Sequence, residues 1–210
     1  MKSPEHPIFL ESLEYIRSQI GFTGLNSIQQ SVLERIIHSS GDLSIQSDLR
    51  FSSKACDEAI NALKKGANIL TDTYMAKAAV SPVAKRTLNS NVKCILEMAP
   101  EIIKSSSTTR SAIGMKQMWL DMESKEEFLV GPVVVIGSAP SALMTLLDLI
   151  QQGNKKPSLI IGMPVGFIGV SECKKRLLNS DCSHIVLEGS KGGASLAAAT
   201  DNALLKAADC

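Results

Sequence analysis

The stretch VVVIGSAPSALMTLLDLI, residues Val133 to Ile150, decides the fold. A β-branched run reaches a small-residue turn, Gly137-Ser138-Ala139-Pro140, and an apolar pattern at helical spacing follows. That order is strand, turn, helix. From Val130 to Ile150 the chain is almost uncharged for 21 residues, long enough to cross a bilayer. Gly131, Pro132, Gly137, Pro140 and Asp148 interrupt it, however, and its first part is β-branched, so a buried strand leading into a helix fits better. The turn carries neither G-x-G-x-x-G nor a Walker lysine, so it does not seat a pyrophosphate.

Working outward, the same alternation recurs. Short apolar runs at 68–71, 92–96, 158–161 and 184–187 join the one at 132–136. Helical patterns separate them at about 73–88, 106–123, 140–152, 170–179 and 192–208. Strands alternating with helices imply right-handed crossovers, hence an α/β fold with a doubly wound, mainly parallel sheet of about five strands in three α/β/α layers. The first third reads as helical: Pro7 to Ile20, a helix entered through Ser27-x-x-Gln30 as a capping box, and another begun at Ser53 and stopped near Gly66. Residues 1–66 are therefore expected to be a helical segment packed on a core of residues 67–210, together forming one structural domain.

In an open parallel sheet, ligands bind beyond the carboxyl ends of the strands. The segments leaving those ends are TDTYMA (71–76), GSAPSA (137–142), GMPVGF (162–167) and GSKGGAS (189–195). All are small, polar or glycine-bearing, and their backbone N–H groups suit carboxylate or phosphate oxygens. Four such loops on one rim suggest a wide ligand with several negative charges. Lys and Arg total 22 against 21 for Asp and Glu, so no global charge argues for nucleic acid or an anionic membrane surface. Five cysteines without a C-x-x-C pair, and no secretory pattern at the N-terminus, read as reduced cytosolic thiols. The three histidines do not fall at zinc spacing from any cysteine pair, and no metal site is expected.

Seven segments in order, HPIFLESLEYI (6–16), RIIHSSGD (35–42), ALKKGANILTDTYM (62–75), TTRSAIGM (108–115), VVVIGSAPSAL (133–143), LIIGMPVGFIGVSECK (159–174) and GSKGGASLAAATDNALL (189–205), resemble the precorrin-8X methylmutase family of cobalamin biosynthesis. The most specific of them is the GMPVGFIG segment with its glutamate and lysine. The resemblance implies a homodimeric, cytoplasmic isomerase that moves a methyl group from ring carbon 11 to ring carbon 12. Its substrate would be precorrin-8X or the cobalt-bearing counterpart, and its product hydrogenobyrinic acid or the cobalt analogue. No cofactor is implied, any cobalt belonging to the substrate, and neither nucleic acid nor membrane is a partner. A flat macrocycle fringed with carboxylates also explains several anion-accepting loops without a phosphate fingerprint.

The resemblance places the proton donor at His38. On a helix from Ser27 that histidine lies off the apolar stripe of Ile28, Val32, Leu33 and Ile36, near the helix's carboxyl end. It places substrate contacts at Ser12 and Arg110, with Asp72 and Met75 lining the rim after the first strand. The loops add Gly137, Ser138, Ala139, Gly162, Pro164, Gly166, Lys191, Gly192 and Gly193 as binding positions. Ser138 stands where the family commonly has asparagine, Ser190 where it has arginine and Ala194 where it has serine, so Lys191 is expected to supply the missing cation. Two other readings share the architecture: a corrinoid carrier without turnover, and a Rossmann- or flavodoxin-like nucleotide binder, which lacks its phosphate loop here.

Overall fold

The computed structural model describes residues 6–102, 108–125 and 129–210. Six strands form one sheet in the order β1-β6-β5-β4-β2-β3. They are β1 (Leu49–Phe51), β2 (Ile69–Thr71), β3 (Val92–Cys94), β4 (Val133–Ile136), β5 (Leu159–Gly162) and β6 (His184–Leu187). All neighbours are parallel except β1, which pairs antiparallel with β6, Leu49 opposite Leu187. The five expected strands are present. β1 is a sixth, and it lies inside the segment expected to be helical throughout.

Alternate residues of the central strands feed two cores. Val133, Val135, Ile161 and Ile185 face one layer, built from α1 (Pro7–Ile20), α2 (Ser27–Ser40), α4 (Ala55–Lys64), α5 (Tyr74–Arg86) and α9 (Ala194–Ala208). Val134, Ile136, Ile160 and Val186 face the other, built from α6 (Arg110–Ser124), α7 (Pro140–Gln151) and α8 (Val170–Leu178). A single turn, α3 (Ile45–Asp48), precedes β1. Among the described residues no helix is long and apolar enough to cross a membrane.

α2 begins one residue earlier than Ser27-x-x-Gln30 suggested. Asn26 caps it, accepting from the N–H groups of Ile28 and Gln29 at 3.1 and 2.9 Å, while the Gln29 side chain accepts from Asn26 N. Gln30 is spent elsewhere: it accepts from Thr23 and donates to Glu34 at 2.8 Å. That carboxylate, buried, also takes a two-pronged bond from Arg17 at 2.7 and 2.8 Å, which fixes α1 on α2.

The direction of winding reverses between β2 and β4. From β2 the chain crosses one face through α5 to the outer strand β3; from β4 it proceeds the other way through α7 and α8, on the opposite face. Such a reversal opens a crevice above the carboxyl ends of the two strands. Asp72 follows β2 and Gly137 follows β4.

Candidate active site

The anion seat of that crevice is filled by the protein itself. Oδ2 of Asp72 accepts from the backbone N–H groups of Gly137, Ser138 and Ala139 at 3.1, 2.6 and 2.8 Å. The turn at the start of α7 is thus a nest for an internal carboxylate, reinforced by the positive end of the helix. Asp72 is fully buried, and its Oδ1 has no partner among the described residues. Burial pushes the carboxyl above its ordinary range, against the downward pull of the three N–H donors. The expectation that Gly137, Ser138 and Ala139 offer free N–H groups to a ligand, and that Asp72 lines an open rim, is corrected by this geometry.

The other rim loops are fastened to one another in the same way. Val165 N donates to Gly137 O at 3.2 Å, Gly166 N to Ser190 O at 3.1 Å and Gly193 N to Met163 O at 2.9 Å. Their glycines follow from this crowding. A Cβ on Gly137 would lie 2.6 Å from Cα of Ala194, and one on Gly192 2.1 Å from the carbonyl oxygen of Met163. Gly162 closes β5 against Leu177 of α8, at 2.5 Å for an added Cβ, and Pro164 is buried beside it. Gly192→Ala must therefore push two backbones apart. We expect it to destabilise the fold by about 1–3 kcal/mol, seen as a lower midpoint in thermal denaturation; an unchanged midpoint would mean the loops part freely.

Two of the predicted residues meet. His38, exposed in the last turn of α2, has Nδ1 2.8 Å from Oγ of Ser12 on α1. The edge of the same ring pairs with Phe9, one helical turn before Ser12, with centroids 4.9 Å apart at 86°. Phe9 in turn lies 4.2 Å under the Arg35 guanidinium. α1 therefore sets the imidazole from two sides and leaves Nε2 as its remaining polar atom. Four residues past His38, Asp42 accepts from Nζ of Lys191 at 2.7 Å, and Ser44 shares that ammonium. This cation holds the Asp42 carboxyl down at about 2. The bond ties the turn after α2 to the loop after β6, and it engages the cation that Lys191 was expected to offer a ligand.

Arg110 opens α6 at the rim beyond β3, exposed, its Nε donating to Pro100 O at 2.9 Å. Its neighbour Thr109 caps α6 and meets Ser141, in the first turn of α7, at 2.6 Å. Residues 106 and 107, at the start of the helical pattern expected at about 106–123, lie outside the described residues. Met75 is 67% exposed after β2, and Phe167 and Ile168 are 89% and 90% exposed after β5. Tyr74, Met98, Ile102 and Val165 add apolar surface to the same edge. Sequence reasoning passed over Phe9, Asp42 and Lys174. The last lies inside the most specific motif, which was a usable signal; the first two carry none beyond their adjacency to Ser12 and His38.

Residues 7–207 match the family model described as precorrin-8X methylmutase. A cobalt-precorrin-8 methylmutase of Synechocystis is 35% identical, covering 96% of this chain and 95% of that one. A precorrin-8X methylmutase of Pseudomonas aeruginosa is 36% identical, covering 94% and 93%. The crystal structure of a precorrin-8x methyl mutase from Thermus thermophilus superposes with a TM-score of 0.83 at 31% identity, covering 97% of this chain and 98% of that one.

Proposed function

The chain belongs to the precorrin-8X methylmutase family, an isomerase family of cobalamin biosynthesis, and on that premise we propose that His38 is the proton donor of its methyl shift. The observation that carries this reading is the His38–Ser12 pair, 2.8 Å apart and steadied by Phe9. In the charged imidazole Nδ1–H donates to Ser12 Oγ, and the Nε2 proton is the one available to a substrate.

The reaction is balanced within the substrate. The bond from ring carbon 11 to the methyl group breaks as the bond from ring carbon 12 forms. A proton placed on the macrocycle while its conjugation reorganises lowers the barrier, and its later loss leaves an isomer. No electrons enter or leave, so no cofactor is required; cobalt, where present, is carried by the substrate. The protein supplies one held geometry and one placed proton.

The apolar side chains on the rim, Met75, Val165, Phe167 and Ile168 among them, suit the face of a flat tetrapyrrole. Arg110, whose guanidinium has donors beyond the Nε bond to Pro100, suits a peripheral carboxylate, and Gly166, Gly192 and Gly193 lie on the same rim. A homodimer is the assembly we favour, supported by the exposed Ile8, Leu10 and Tyr15 along α1. The cytoplasm is the compartment we favour, supported by four buried free thiols at Cys56, Cys94, Cys173 and Cys182.

The test is incubation of the purified chain with precorrin-8X and, separately, with cobalt-precorrin-8, following visible absorption. Conversion of either gives a time-dependent shift to the corrin-type spectrum, and the faster one identifies the natural substrate. Binding with a static spectrum would instead identify a carrier.

A further inference from the structure

The structure assigns to Lys174 the role of a positioning residue for this reaction: its buried ammonium sets the loop from Gly189 to Gly193 so that peptide N–H groups face the carboxylate fringe of the substrate. The assignment rests on the methylmutase reading above.

Lys174 lies in α8 and is 1% exposed. Its Nζ donates to Gly189 O at 2.9 Å and to Lys191 O at 2.7 Å. Two carbonyls, two residues apart, are thus drawn to one interior point. In a trans peptide the C=O and the N–H of one unit point in opposite directions. The N–H groups of Ser190 and Gly192 are therefore turned away from Lys174, and no described residue accepts from either. The Ser190 carbonyl takes the Gly166 N–H, and the Gly193 N–H goes to Met163, so the loop is pinned between the two donors and again just after them.

A neutral filler would support such a loop at lower cost, because burying an ammonium is unfavourable. What the cation adds is a positive charge beneath two outward donors, in a medium that screens it poorly. That arrangement favours an anion on the outer side. Burial pushes Lys174 down to about 8, with Cys173 beside it and Asp48 at the end of α3 pulling upward. α7 and β6, packed on the rest of α8, contribute no titratable group that acts on it. The charge is therefore present at neutral pH and lost not far above it.

The experiment measures kcat and KM for precorrin-8X from about pH 6.5 to about pH 9.5 in the wild type, K174M and K174R. Loss of two charge-assisted bonds is expected to raise KM about 10- to 100-fold in K174M, with kcat within a few-fold. Wild-type KM should climb above about pH 8, K174M should show no such climb, and K174R, permanently charged, should keep a low KM throughout. Titration of His38 or of the substrate affects all three alike and cancels in the comparison. A K174M enzyme with wild-type KM, or the same climb in all three, overturns the assignment. If K174M cannot be isolated folded, the wild type against K174R decides: a climb absent from K174R supports the role, and a climb shared by both, or a flat wild-type KM, removes it. Absence of turnover in the wild type at every pH would instead overturn the methylmutase reading itself.

Discussion

His38→Ala is expected to lower kcat for the methyl shift by about 100- to 10,000-fold, the range of a single positioned proton donor. The geometry limits the damage to chemistry. His38 is exposed at the end of α2, and its contacts are one hydroxyl and one aromatic edge on α1, so its removal leaves no hole in either core. α1 stays docked through Arg17 and Glu34, whose paired bonds do not involve it. Binding should survive as well, because rim loops and apolar surface elsewhere are proposed to hold the macrocycle. The dissociation constant for hydrogenobyrinic acid, read by titration of its visible bands, should therefore change little while turnover collapses. Ser12→Ala, which removes only the hydroxyl at Nδ1, should cost about tenfold or less. Near-normal turnover in His38→Ala would end the assignment of this histidine.

The parts of the molecule that the chain announced were those governed by local pattern. β4 and α7 were legible because VVVI and the helical stripe after Pro140 obey different periods on either side of a small-residue turn. β1 was not, because a three-residue edge strand with Arg50 at its centre has no pattern long enough to read. Its pairing with β6 is settled by residues about 135 positions away. The site divides similarly. The resemblance assigns His38 and Ser12 separately, as proton donor and substrate contact, and only the fold brings them within hydrogen-bond distance.

The loops were misread for a physical reason. Glycine and exposed amides after a parallel strand fit an external anion and an internal one equally well, and only the fold shows that Asp72 occupies the turn after β4. Gly192 is small because another backbone crosses it, which no one-dimensional pattern reports. The motif lysine, Lys174, carries no sign of its burial in the sequence, because that burial follows from the loop folded over it.

Asp201→Asn is expected to make the fold more stable, and increasingly so as pH rises. Asp201 sits in the stripe of α9 that includes Ala197, Ala198, Leu204, Leu205 and Ala208, and it is fully buried. Neither carboxyl oxygen has a partner among the described residues, and burial alone pushes the group up to about 7. In the folded state the carboxyl is thus held neutral into the neutral range, whereas in the unfolded chain it ionises near its ordinary 3.8. The stability tied to the protonated form is complete below the ordinary value and is lost progressively as pH climbs to about 7, beyond which both states are ionised and the loss is constant. An upward shift of about three units corresponds to about 4 kcal/mol. Asparagine keeps the shape and cannot ionise, so it should match the wild type near pH 4 and exceed it by about 3–4 kcal/mol near pH 8. Denaturant midpoints of the two proteins, measured side by side across that range, give the difference directly, and every group common to both cancels. Parallel curves would mean that water or an unseen cation reaches the carboxylate. α9 begins where the glycine loop ends, at Ala194 against Gly137, so the stability of this helix bears directly on how firmly the rim is held.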